Sequence, residues 1–319
     1  MDCTTDEYIQ RQRGWLGRMH PAHKSDTDTA PPQPILDPES PQWHITQVFK
    51  DLLETKYDAQ EAAQRLADTI VSSSDVLKTY SIMLGCFLNA VESFSSMEVH
   101  TLLSNFLAHL ASLPDAVNNR PEPLIINSTY KTIIQPGCPI IVDWAGRDDH
   151  LWRDLPYLSM NITESMQGPE AYLSRDESVS VATQKWKNMN TFIAILVRDH
   201  GSTFPELFGS RIYYAFSCIP WALEYPPRSR WGKNMALHLP AACQWILLAA
   251  DEVWKALDDG CEGRPWTMGA GQLWSNQDGG NEVDGRRWAF WRYRFEALSE
   301  DPRLDAETAE MALQVSRLM

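Results

Sequence analysis

The sequence predicts an all-α fold, a multi-helix bundle of about eight or nine helices with a long irregular central connection and a disordered N-terminal tail. Three observations support this fold. Apolar residues recur with the period of a helix in most segments after residue 42. Capping residues and prolines stand where these periodic segments begin and end. Thirteen tryptophans among 319 residues supply side chains large enough to dominate a helical core.

The chain divides into a tail and a helical domain. Residues 1–42 are polar and contain five closely spaced prolines. Such a segment buries too little apolar surface to offset the entropy lost on ordering, so we predict a disordered tail. The all-α domain covers 43–319, with N-terminal helices at 43–113, an irregular connection at 114–168 and a C-terminal helical core at 169–319.

Helix boundaries in the first half follow from capping chemistry. Asp58 is the predicted N-cap of the second helix of the domain, and either Ser74 or Asp75 caps the third. Pro114 ends the fourth helix, because proline cannot continue a helical hydrogen-bond ladder. Apolar stripes between these points indicate four amphipathic helices that pack together.

Short apolar runs stand at residues 124–126, 133–134 and 140–142 of the central connection. They are either small strands or loop segments, and they are too brief to define a sheet. A loop of this length is uncommon inside a compact domain, and it is often functional or connects two domains. The connection therefore allows a division of the helical domain into two sub-bundles.

The second half contains a helix that is apolar nearly all round, from Glu206 to Glu224. Such a helix is expected at the centre of a bundle. Pro220 should kink it. Arg211 and Glu224 are the charged residues of this helix that we expect to be partly buried, and each then needs a partner.

An aromatic wedge lies at Arg286–Leu298, with the sequence RRWAFWRYRFEAL. Trp288, Trp291 and Phe295 stand at positions i, i+3 and i+7, so they share one face of a helix. We predict that this face packs against the apolar helix at Tyr213–Glu224. Such a stripe is more typical of a core than of a cofactor site.

The predicted ligand-binding residues are Arg211, Glu224, Trp291 and Arg294. Arg294, or Arg287 beside it on the wedge, is the expected partner of Glu224. The sequence contains no GxSxG elbow and no cysteine in a recognisable catalytic context, so no catalytic residue is assigned. For a protein that binds a ligand through these residues, we predict no cofactor and no metal site.

An alternative function starts from Asp258, Asp259 and Glu262 in the sequence DDGCE. Carboxylates at this spacing hold Mg²⁺ ions that bind a diphosphate in helical isoprenoid cyclases. The alternative is therefore a cofactor-free or Mg²⁺-dependent, cyclase-like enzyme acting on an apolar metabolite in an aromatic pocket. A solvated acidic helix end gives the same pattern.

Charge and cysteine usage limit the partners. The net charge is −14, from 42 acidic and 28 basic residues. An acidic surface repels phosphate backbones and anionic lipids, so we expect no nucleic-acid and no membrane partner. The six cysteines form no CxxC pair and are typical of reduced thiols in an intracellular protein. With no apolar signal segment, the prediction is a cytoplasmic protein whose partner is an unknown protein or small molecule.

Several motifs from Leu151 to Met319 occur in a familiar order: LWRDLPYL, NMNTFIAILVRDHG, YYAFSCIPWALE, AACQWILLAADEVWKAL, GQLW, RRWAFWRYRFEAL and ETAEMALQVSRLM. This order resembles a helical family of uncharacterised proteins from filamentous fungi, catalogued as a fungal domain of unknown function. The resemblance implies an all-α, intracellular fungal protein and supplies no activity. Some genes of that family lie beside secondary-metabolite genes. The aromatic wedges, the acidic surface and the absence of catalytic signatures favour a protein-interaction or small-ligand-binding protein, and the resemblance implies a role accessory to secondary metabolism.

Overall fold

The computed structural model describes residues 3–19, 36–127, 131–144, 146–174, 177–258, 269–282 and 284–319. In these ranges the protein is mostly helical, with two small antiparallel hairpins, so the predicted fold class is confirmed. The described residues form thirteen α-helices rather than about eight or nine, because short helices leave no clear apolar period in the sequence. The chain forms two compact units, Met1–Glu164 and Ser165–Met319. Among the described helices, none combines the length and the apolar character that crossing a membrane requires.

The first unit is built from five amphipathic helices. Asp58 accepts a hydrogen bond from the Glu61 N–H at 2.7 Å and caps the third, as predicted. Asp75, rather than Ser74, caps the fourth, and accepts from the Lys78 N–H at 3.1 Å. The helices are α1 (Thr5–Met19), α2 (Pro41–Leu53), α3 (Ala59–Ser72), α4 (Val76–Ser93) and α5 (Met97–Ala111).

Helix α1 corrects the prediction of a disordered tail over residues 1–42. Tyr8 and Leu16 are fully buried, and the Tyr8 hydroxyl donates to the carbonyl oxygen of Cys86 on α4 at 2.7 Å. These apolar side chains are eight residues apart and lie on one face of the helix. The polar composition around them concealed this short stripe. Most of the remaining tail lies outside the described residues.

Two hairpins replace part of the irregular connection. Strands β1 (Leu124–Asn127) and β2 (Lys131–Ile134) pair antiparallel, as do β3 (Ile141–Trp144) and β4 (Arg147–His150). The short apolar runs noted in the sequence fall in strands β1, β2 and β3. Strand β4 has the sequence RDDH and carries no apolar signal, so only its pairing with β3 identifies it as a strand.

The second unit is organised around two long helices, α8 (Val179–His200) and α10 (Met235–Asp258). It also contains α9 (Ala215–Leu223) and α13 (Ala306–Leu318). Helix α10 packs against α8, α9 and α13, and it bends at Ala249, whose φ and ψ are −141° and 35°. Helix α6 (Leu158–Ser165) ends where the second unit begins. The remaining helices are α7 (Pro169–Leu173), α11 (Gln272–Ser275) and α12 (Gly285–Leu298).

The apolar helix predicted from Glu206 to Glu224 begins later than expected. A 3₁₀ segment covers Gly209–Tyr214, and α9 starts at Ala215. Glycine and serine at the start of that segment are weak helix formers, and 3₁₀ turns are frequent at helix ends. Pro220 lies inside α9, and the helix is buried almost throughout.

Buried cysteines lie on three helices and are unpaired. Cys86, Cys218 and Cys243 are free thiols with fully buried side chains. Burial raises the pKa of all three, and that of Cys86 to about 12. These thiols therefore stay protonated and unreactive at neutral pH.

The pH dependence of stability should report on His100, which is completely buried on α5. Burial lowers the pKa of His100 from 6.5 to about 4. The unfolded chain binds this proton more readily, so stability should fall as the pH drops from about 6.5 to about 4. The expected loss is of the order of 3 kcal/mol.

Urea unfolding of the wild type and of His100→Gln at pH 7.5 and pH 4.5 measures this loss. The variant should lose less stability than the wild type over that interval. His109→Gln alters an exposed histidine on the same helix and should behave like the wild type. Equal losses in the wild type and His100→Gln would contradict the assignment.

Candidate functional site

Glu224 follows the last residue of α9, and its side chain is fully buried. Nε and Nη2 of Arg287 donate to its carboxylate oxygens at 2.7 and 2.9 Å. The indole N–H of Trp291 donates to Oε1 at 2.6 Å, and the backbone N–H of Gly271 donates to Oε2 at 2.8 Å. Each oxygen accepts two hydrogen bonds, which compensates for burying the charge.

The start of α12 positions Arg287. Asp284 caps this helix and accepts hydrogen bonds from the N–H groups of Arg286 and Arg287, both at 2.9 Å. Nη1 of Arg287 also donates to the carbonyl oxygens of Asn281 and Glu282, at 3.2 and 3.4 Å. The guanidinium group is therefore fixed by both the helix cap and the preceding segment.

Gly271 contacts Glu224 so closely that a side chain would not fit. A Cβ atom on Gly271 would lie 2.4 Å from the Cβ of Glu224. The Leu273 N–H donates to the carbonyl oxygen of Glu224 at 2.8 Å. The segment that begins α11 is thus held against the end of α9, and glycine is required for this approach.

The aromatic wedge packs as the sequence predicts. Trp288, Trp291 and Phe295 are buried on one face of α12. The Trp291 ring lies against Phe216 on α9, with 6.5 Å between the ring centroids. The wedge therefore joins α12 to the end of the buried helix.

The two candidate arginines have different roles. Arg287 pairs with Glu224. Arg294 instead donates from Nε to the carbonyl oxygen of Leu223 at 3.0 Å. Glu224 and Trp291 are thus brought together as part of a closed and fully paired network, and Arg294 caps the same helix end. These contacts describe a packing role.

The remaining predicted residues lie elsewhere or outside the described part of the chain. Arg211 donates from Nε to the carbonyl oxygen of Leu207, one turn earlier, at 3.1 Å. The side chains of Asp258, Asp259 and Glu262 fall outside the described residues, so the proposed Mg²⁺ site cannot be placed. Within the described residues, no group of three or more acidic, histidine or cysteine side chains has metal-binding geometry.

A second group of polar side chains joins α7 to the start of α10; His238 is fully buried, and Glu170 and Asn234 are half-buried. Oε1 of Glu170 accepts hydrogen bonds from Nε2 of His238 at 3.1 Å and from Nδ2 of Asn234 at 2.7 Å. An ionised carboxylate only accepts, so Nε2 of His238 carries the proton in this contact. Glu170 lies in the first turn of α7, and His238 in the first turn of α10.

Three tryptophans surround the His238 ring. The rings of Trp186, Trp221 and Trp231 lie 6.2, 5.9 and 5.8 Å from it and are steeply inclined to it. Trp221 and Trp231 stack on each other at 4.9 Å with 21° between their planes. We call this group the tryptophan–histidine cluster; its members are Glu170, Trp186, Trp221, Trp231, Asn234 and His238.

Four polar atoms of the cluster are buried and have no hydrogen-bond partner among the described residues. They are Oε2 of Glu170, Nδ1 of His238 and the indole nitrogens of Trp186 and Trp221. Leaving such an atom unpaired costs about 1–3 kcal/mol. The cluster therefore differs from the Glu224 network, in which both carboxylate oxygens are fully paired.

Gly168 lies so close to the free oxygen of Glu170 that a side chain at this position would crowd it. A Cβ atom on Gly168 would lie 2.9 Å from this Oε2 and 3.7 Å from Cε1 of His238. Its φ of 97° is also strained for any other residue. Trp231 and Asn234 are half-buried, so one side of the cluster reaches the protein surface.

Glu170 stays ionised at neutral pH. Burial alone would raise the pKa of its carboxyl group, but hydrogen bonds from His238 and Asn234 and the charge of His238 lower this pKa to about 2. The cluster thus offers one charged acceptor and two indole donors. Nδ1 of His238 is an acceptor in the neutral ring and a donor in the protonated ring.

Sequence reasoning missed this cluster. Glu170 and His238 are 68 positions apart, and neither belongs to a recognisable motif. Asn234 and His238 flank a helix start and looked unremarkable. The one signal in the sequence is its concentration of tryptophans, which is more typical of an apolar core than of a binding site.

The first unit contains an open cleft of about 510 Å³ whose lining includes Lys78, Ser81, Asn127, Tyr157 and Asn161. None of these described side chains has a buried polar atom that lacks a partner. The cleft therefore carries a weaker indication of a ligand than the tryptophan–histidine cluster.

Breaking the Glu224 network should destabilise the second unit. Glu224→Gln removes the negative charge and leaves the Arg287 guanidinium buried without a counter-charge. We expect a loss of about 3–5 kcal/mol in the free energy of unfolding, measured with urea. The double variant with Arg287→Met removes both charges and should recover part of the loss.

Glu296→Gln is the matched control, because Glu296 is exposed on the same helix as Arg287. Its effect should stay within about 0.5 kcal/mol. A loss below about 1 kcal/mol for Glu224→Gln would show that the buried pair does not hold α9 to α12.

Comparison with known proteins places the chain in a family. Residues 85–295 match the model described as protein of unknown function (DUF3632). The match includes both polar clusters and begins further towards the N-terminus than the resemblance seen from Leu151 onward. Searches of curated proteins and of solved structures found no match. Because the match covers well over half of the sequence, this chain belongs to the DUF3632 family of proteins of unknown function.

Proposed function

We propose that this protein binds a small organic ligand at the tryptophan–histidine cluster. The observation that carries the proposal is the set of four buried polar atoms without partners around one aromatic site. Native proteins pair nearly all such atoms, and an unpaired one is explained by a ligand, water or a functional role. Because these atoms are closed to solvent in this structure, their partner has to enter the cluster, which a small molecule can do and a flat protein surface cannot.

The atoms define the ligand that fits. The free oxygen of Glu170 calls for a hydroxyl or amine donor. The indole N–H groups of Trp186 and Trp221 call for acceptors. The stacked rings of Trp221 and Trp231 favour a planar apolar body. Binding sites for small molecules typically combine such an aromatic lining with a few placed polar groups.

A cofactor-free enzyme is the second candidate, and the geometry of Glu170 and His238 favours it. A carboxylate holds one nitrogen of the imidazole, and the other nitrogen is buried without a partner. This is the arrangement of a histidine general base that is oriented by a carboxylate. In this reading Nδ1 of His238 removes a proton from the bound substrate, and Glu170 stabilises the resulting imidazolium.

We further propose that the protein works in the cytoplasm of a filamentous fungus, as an accessory of secondary metabolism. The free buried thiols and the order of the sequence motifs support this setting. A fluorescent fusion expressed from the native locus should give diffuse cytoplasmic signal. Signal in the medium or in a membrane-bound compartment would contradict the proposal.

If the cluster is a binding site, a variant that removes one of its unpartnered N–H groups should lose little stability. Trp186→Phe and Trp221→Phe each delete an unpartnered N–H and keep an aromatic ring. Trp245→Phe is the matched control, because the buried Trp245 N–H donates to Oδ1 of Asn190 at 2.8 Å. The control should be less stable than the first two variants by about 1–3 kcal/mol in urea unfolding.

Binding is measured by titration calorimetry with naphthol, a planar probe that carries one hydroxyl donor. Trp221→Phe and Glu170→Gln should weaken naphthol binding about fivefold or more, the value of one hydrogen bond. Trp245→Phe should leave it unchanged. The proposal is overturned if naphthol does not bind the wild type, or if all three tryptophan variants lose the same stability.

A further inference from the structure

A basic segment borders the tryptophan–histidine cluster. Arg228, Arg230 and Lys233 fall within six positions of each other and are exposed. The segment from Tyr225 to Asn234 contains no acidic residue, although the whole chain has a net charge of −14. A local positive patch on an acidic protein attracts small anions and repels cations.

Arg230 connects this patch to the cluster. Its guanidinium carbon lies 4.4 Å from the centroid of the Trp231 ring, and Trp231 stacks on Trp221. Trp221 in turn lies beside His238. A path of stacked groups thus runs from an exposed arginine to the buried atoms. A cation–π contact at an exposed site is weak, so a ligand ring can displace Arg230 from Trp231.

The backbone of the segment is fixed before any ligand arrives. The Ser229 hydroxyl donates to the carbonyl oxygen of Pro226 at 2.7 Å, and the Gly232 N–H donates to the Ser229 hydroxyl at 3.0 Å. The Lys233 N–H donates to the carbonyl oxygen of Ser229 at 3.2 Å. A fixed backbone holds the three cations on one short stretch, which lowers the entropy cost of binding.

We propose that the ligand of the cluster is a small aromatic anion, which extends the proposed binding function to a ligand class. Its carboxylate or phosphate pairs with Arg228 and Arg230 at the surface. Its planar ring lies on the face of Trp231 that Arg230 leaves and against the edge of Trp221, because the two indoles cover each other's inner faces. A hydroxyl at the inner end donates to Oε2 of Glu170.

Glu170 does not oppose this orientation. Its charge is already paired with His238 and Asn234 through Oε1, and its free Oε2 needs only a neutral donor. The charged end of the ligand stays at the exposed arginines, where a planar guanidinium matches the geometry of carboxylate or phosphate oxygens.

Titration calorimetry with matched naphthalene probes tests the proposal. Naphthoate and naphthyl phosphate carry the anion, and naphthamide has the same ring without the charge. Both anions should bind the wild type at least tenfold more tightly than the amide. This preference should shrink as salt is raised, because exposed ion pairs are screened. Whichever anion binds more tightly identifies the acidic group.

Arg230→Gln and Arg228→Gln should each reduce the preference for the anions over naphthamide by threefold or more. Lys255→Gln removes an exposed cation on α10 and should change nothing. Equal affinity for naphthoate and naphthamide, or a preference that survives both arginine variants, overturns the proposal. If naphthol still binds in that case, the binding function stands and the ligand class alone fails. If no probe binds, both fail.

Discussion

A buried carboxylate is tolerated only when hydrogen bonds replace the water it has lost, and this requirement separates the two polar clusters of the second unit. Glu224 meets it with four donors from α12 and the start of α11. Glu170 meets it for Oε1 alone. Trp221 lies on α9 three positions before Glu224, so the paired network fixes the helix that presents Trp221 to the unpaired cluster. The closed network is the scaffold of the proposed binding site.

Much of the fold follows from local signals. Helical periodicity identified the long helices, and Asp58 caps the helix that the sequence assigned to it. Two elements were not predicted from the sequence, and each omission has a physical reason. The apolar stripe of α1 is short and sits in a polar segment, so composition outweighed periodicity. Strand β4 is polar, and its hydrogen bonds to β3 define it, which no local pattern reveals.

The site was only partly predictable. A charged residue in an otherwise apolar helix requires a partner, so Glu224 and the arginines of the wedge were identified from the sequence. Arg287 and Arg294 are seven positions apart and share a helix face, so periodicity could not decide between them. The pairing of Glu170 with His238 depends on how α7 and α10 are placed in space. Such a contact has no signature in a single sequence.

A crystal structure of the protein soaked with hydroxynaphthoate tests the central claim most directly, because it shows what occupies the space beside Oε2 of Glu170. We expect the probe hydroxyl within about 2.7–3.0 Å of this oxygen, with the ring against Trp221. A protein donor already bonded to Oε2, or ordered water alone at a saturating concentration of the probe, would contradict the claim that these buried atoms await a ligand.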